Sequence, residues 1–146
     1  MGLTQEFLDS AWDFADPATS LARFEDALRT AADPEELAEL RTQCARALGL
    51  LDRFDEAHAA LDSVPDTSTV VAARVALERG RLRNSAGDPA GAVPLFRLAE
   101  TLAGDAGALF LQVDALHMVA IADPAAAKQA TSEALELLLR TSDART

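Results

Sequence analysis

The sequence contains no tyrosine, one tryptophan, one cysteine and one lysine, Lys128, beside twelve arginines. With Cys44 alone no intrachain disulfide can form, and its place in an apolar helical pattern suits a buried, inert thiol in a reducing compartment. Positive charge is scarce: the formal net charge is −11 and the pI is near 4.5, which opposes phosphate backbones and anionic membranes. No run of about 18 apolar residues is present, so no membrane-spanning helix is expected. Met1-Gly2-Leu3-Thr4-Gln5-Glu6 lacks the basic and apolar segments of a secretion signal, and the expected location is cytoplasmic. Alternating strand patterns are missing too. So are a Ser-His-Asp spacing, a glycine-rich phosphate loop and a Cys/His cluster. His58 and His117 stand alone, whereas a zinc site needs three or four ligands, so no catalytic residue, metal or cofactor is expected. The arginine and alanine bias suits a GC-rich, bacterial-like coding sequence.

What is present is a period. Ala57, Ala92 and Ala127 recur at a step of 35 residues, followed four residues on by Leu61, Phe96 and Thr131 and seven on by Val64, Ala99 and Ala134. Such a period indicates small units that cannot bury an apolar face alone and must stack. Asp-Pro pairs at Asp16-Pro17, Asp33-Pro34, Asp88-Pro89 and Asp123-Pro124 read as helix starts, with Asp capping and Pro in the first position. Between them apolar residues recur at three- and four-residue steps, as in Leu37, Leu40, Cys44, Ala47 and Leu48. The pattern predicts an all-α fold of eight helices, at 3–15, 17–31, 34–50, 53–63, 67–86, 89–103, 106–122 and 124–140, paired as antiparallel hairpins. Pro94 falls inside the sixth helix, where it removes a backbone bond. A chain of 146 residues fits one domain and buries roughly 70% of its unfolded surface.

These residues resemble the tetratricopeptide repeat family, whose helix–turn–helix unit is usually about 34 residues long. The best match is Gly80 in a first helix, Gly87 in the turn, then Ala92, Phe96 and Ala99 in the second helix. A second unit matches through Ala45, Leu48, Phe54, Ala57 and Leu61, with Asp52 in place of the turn glycine. The third matches through Leu111, Ala115, Met118, Ala127 and Ala134, with Ala122 at the turn. Residues 34–66, 67–104 and 105–140 are then repeats, 1–33 a degenerate repeat or cap, and 141–146 a tail. The resemblance implies a right-handed α-solenoid that holds a peptide or a partner's helix in a concave groove, without catalysis.

Carrying the family's groove pattern onto this sequence places Thr42, Arg46, Arg74, Leu77, Arg81, Asn84, Gln112 and Leu116 on the concave side. Arginine forks there would suit a carboxylate, such as an acidic peptide or a free C-terminus. They would equally serve as solvated or locally paired charges. A second constellation is Arg79 and Arg83 at a four-residue step, with Asp114 35 residues after Arg79 and His117 one turn further on. It reads either as a structural inter-repeat pair or as a polar pocket for an anion or small ligand, with sensing or enzymatic activity as the alternative to an adaptor. Finally, Leu135, Leu137, Leu138 and Leu139 spread over an arc of about 200°, wider than one packing stripe needs. Leu135, Leu137 and Leu139 are therefore candidates for self-association as a homodimer.

Overall fold

The computed structural model describes residues 3–144, with side chains through residue 141. Residues 1, 2, 145 and 146, the last two within the expected tail, lie outside the described residues. The fold is all-helical: α1 (Gln5–Ala11), α2 (Pro17–Thr30), α3 (Pro34–Leu50), α4 (Phe54–Asp62), α5 (Thr69–Ser85), α6 (Pro89–Asp105), α7 (Leu109–Ala122) and α8 (Ala127–Ala144), with a 3-10 turn at Pro124–Ala126. No strand occurs among the described residues.

Local chemistry starts and stops these helices. The Asp16, Asp33 and Asp88 carboxylates each accept a backbone N–H from the first turn, of Thr19, Glu36 and Gly91, with proline following in each case. At the ends of α3, α5 and α6 one hydrogen-bond pattern repeats: Arg53 N–H donates to the Leu48 carbonyl, Asp88 to Arg83 and Ala108 to Ala103, all at 2.9 Å. The residue before each donor is left-handed, Asp52 at φ 60°, Gly87 at 88° and Gly107 at 69°. The aspartate expected in place of a turn glycine thus adopts the glycine conformation. Helix α6 runs through Pro94.

The first helix is shorter than the sequence predicts, ending at Ala11 instead of residue 15. Ser20 of α2 explains the stop: its hydroxyl accepts from Asp13 N–H at 2.8 Å and donates to the Asp13 carbonyl at 3.0 Å. These bonds satisfy the backbone where the helix would have continued. Pro17 also disfavours helical backbone at Asp16.

The chain divides into two compact units, with the division after Val71, inside α5. In the first, α3 packs against α2 and α4. Leu21, Phe24, Leu40, Ala45, Leu48, Ala57 and Leu61 form much of its interior. Cys44 is buried there as expected; burial pushes its thiol up to about 12, with Glu25 adding to the effect, so it is a thiol at neutral pH. In the second unit α7 packs against α6 and α8, around Leu77, Ala92, Phe96, Ala99, Ala115, Leu116, Val119 and Ala130. Gly80 has no room for a side chain: a β-carbon there would lie 2.5 Å from Phe96 Cε1. Phe96 thus fills the space that the absent side chain leaves.

Candidate functional site

Helix α7, Leu-Phe-Leu-Gln-Val-Asp-Ala-Leu-His-Met-Val-Ala-Ile-Ala, is apolar on nearly every side. One face carries Ala115, Leu116 and Val119, all completely buried. The opposite face follows the i, i+4, i+7, i+11 spacing through Phe110, Asp114, His117 and Ile121. Phe110 is 66% exposed and Ile121 50%, and His117 is exposed between them. Apolar side chains therefore stand in water on both sides of an ionisable pair.

Asp114 connects this face to a buried charge. Arg81 Nη2 of α5 donates to Asp114 Oδ2 at 2.7 Å, and Arg81 Nη1 donates to Glu78 Oε2 at 2.6 Å. The Arg81 side chain is 13% exposed, Glu78 2% and Asp114 36%. Burial works against the Arg81 charge, but Glu78 and Asp114 together outweigh it and hold the guanidinium pKa above its ordinary value. Glu78 Oε1 is buried with no hydrogen-bond partner.

The sequence paired Asp114 with Arg79, and the structure corrects the partner to Arg81. Arg79 lies half-buried on α5, while Arg83 is exposed and donates to Asp88 at 3.3 Å. Arg79, Arg83, Asp114 and His117 therefore do not converge on one pocket. Of the residues assigned to a groove, Leu77 and Leu116 belong to the core of the second unit and Thr42 is buried in α3, its hydroxyl donating to the Glu39 carbonyl at 2.6 Å. A register carried over from a repeat pattern is one helical step from the exposed face, and on α7 that step turns Leu116 inward and His117 outward. Arg81 bridges two carboxylates. Arg74 and Asn84 are half-buried on α5, and Gln112 reaches Glu100 at 3.4 Å.

Arg46 is half-buried, with its guanidinium 5.1 Å from the Trp12 ring and 4.8 Å from Phe14. Those rings stack with centroids 4.6 Å apart, and Trp12 Nε1 donates to Gln43 Oε1 at 2.9 Å. This cation–π arrangement packs the α1–α2 loop on α3. The sequence held no signal for it beyond the aromatic residues themselves. Glu78, Phe110 and Ile121 were missed as well, although the all-round apolarity of residues 109–122 was legible.

The remaining surfaces carry less chemistry. A shallow concavity of about 650 Å³ runs along α2 past Thr19, Arg23, Asp26 and Arg29, where Arg29 pairs with Asp26 at 3.2 Å. Among the described residues no cluster of three His, Cys, Asp or Glu side chains could hold a metal, and no helix is long and apolar enough to cross a membrane. No family model, curated protein or solved structure matches this chain.

Proposed function

We propose that the protein is a non-catalytic adaptor of tetratricopeptide-like architecture, its hairpins stacked as a solenoid, that binds a helical segment of a partner protein. The repeat architecture is supported by equivalences 35 residues apart. Asp52 and Gly87 share the left-handed turn conformation, Ala57 and Ala92 are both completely buried, and Leu61 and Phe96 are both core residues. The observation that carries the binding role is the exposed face of α7: a helix apolar on nearly every side is normally enclosed, yet this one leaves Phe110 and Ile121 in water. Burying a side chain such as Phe110 contributes roughly 1.5–3 kcal/mol to an interface.

The test is affinity purification from the native host with Phe110→Asp and Ile121→Asp variants whose folding is verified by circular dichroism. A stoichiometric partner of the wild-type chain is expected to be lost from both. Unchanged recovery would remove the α7 face from the interaction, and a co-purifying small molecule would favour the sensor or enzyme alternative.

Self-association is the second reading, favoured by a separate observation. On α8, Leu135, Leu138 and Leu139 are 56%, 42% and 64% exposed. Lys128 and Arg140 balance Glu133 and Glu136 along residues 127–141, so this apolar face is locally neutral on a chain of net charge −11. Two copies of an acidic chain approach at least electrostatic cost where each is neutral.

A further inference from the structure

The ion-paired set of Glu78, Arg81 and Asp114 does not balance, and the imbalance indicates what docks there. One guanidinium, that of Arg81, serves two carboxylates, Glu78 and Asp114, so the set is net negative. Glu78, 2% exposed and with Oε1 unpartnered, places part of that charge where water screens it poorly. Asp114 is the solvent-facing member. Its Oδ2 is occupied by Arg81, and no hydrogen bond to its Oδ1 is present among the described residues.

Geometry surrounds that carboxylate with apolar anchors. Phe110 lies four residues before Asp114 and Ile121 seven after, which at 1.5 Å per residue places them about 6 Å and about 10 Å away along the helix. A partner helix laid along α7 repeats this periodicity. It can present two large apolar side chains about 16 Å apart with a charged residue between them.

Resting on the docking reading above, we propose that the α7 face binds an amphipathic helix in which a lysine or arginine lies between two large apolar residues. The cation seats on Asp114 and neutralises the Glu78–Arg81–Asp114 set. The net charge of −11 acts in the same direction, steering basic partners toward the chain.

The probe is a displayed library of 18-residue helix-forming peptides randomised along one face and selected on the full chain. Enriched sequences are expected to carry apolar residues about three turns apart with Lys or Arg between them. Replacing that cation by Gln in a synthetic peptide should weaken binding about tenfold to wild type and hardly at all to Asp114→Asn. Enriched peptides that lose binding to Phe110→Asp but show no cation preference would overturn the cation inference and leave the docking reading standing. Peptides indifferent to Phe110→Asp would overturn both. If Asp114→Asn does not fold, a peptide with the same lysine moved to its solvent face decides, because it keeps the general attraction of the −11 chain; binding as tight as the original would overturn the cation inference.

Discussion

At position 52 an aspartate holds φ at 60°, a conformation glycine adopts without steric penalty. Replacing Asp52 with Gly is expected to stabilise the fold by about 0.5–1 kcal/mol in urea denaturation, because it relieves the left-handed strain. Gly87→Ala should cost about 1–2 kcal/mol for the opposite reason: φ is 88°, and nothing lies within 4 Å of the added carbon. Gly80→Ala tests packing instead, since its carbon meets Phe96, and the overpacking cost is about 1–3 kcal/mol. Equal losses at residues 80 and 87 that Phe96→Leu relieves equally would contradict this division. Arg81 is the residue on which most depends. Arg81→Ala leaves Glu78 buried without its partner, so a loss of about 3–5 kcal/mol is expected by chemical denaturation. A near-wild-type midpoint would show that Arg81 is dispensable for stability.

At the scale of elements, capping decides where helices begin, and one cap shows how small differences propagate. Asp123-Pro124 resembles the other Asp-Pro pairs, yet Asp123 makes no side-chain cap bond and the chain enters a 3-10 turn over Pro124–Ala126. Such a turn winds about 20° more per residue than an α-helix, so three residues rotate the start of α8 by roughly 60°. Accordingly Ala130 is completely buried and Thr131, the expected counterpart of Phe96, is exposed. Asp88 behaves as the regular cap. The Gly91 N–H, and after it Arg83, hold its carboxyl below the usual carboxylate range. Because the folded pKa is depressed, this cap contributes stability above the unfolded pKa of about 3.9 and loses it as pH falls through the folded value. Asp88→Ala should therefore lower Tm at pH 7, and its difference from wild type should shrink in thermal melts below pH 4. A constant difference down to pH 2 would mean that the charge contributes nothing.

For the whole molecule, charge and exposed apolar surface act together. A net charge of −11 keeps copies apart except at locally neutral surfaces, of which the leucine face of α8 is one. Light scattering is expected to give twice the 15.4 kDa chain mass at high concentration, falling to the single-chain mass in Leu135→Glu and Leu139→Glu. A wild-type monomer under those conditions ends the self-association reading. Leu137, grouped with them on the sequence, packs against the core of the second unit, so Leu137→Glu should lower stability and is no test of assembly.

The sequence by itself determined the helical class, three side-chain caps and the turn at Asp52, because each depends on a few residues close in the chain or one repeat apart. Periodicity says that α7 has an apolar stripe but not which of several stripes faces inward when nearly all are apolar. Only tertiary packing chose Leu116 over Phe110 for the core and Arg81 over Arg79 as the partner of Asp114. A rotation of one residue, about 100° around a helix, is invisible to a 35-residue period and decisive for which side chain meets solvent.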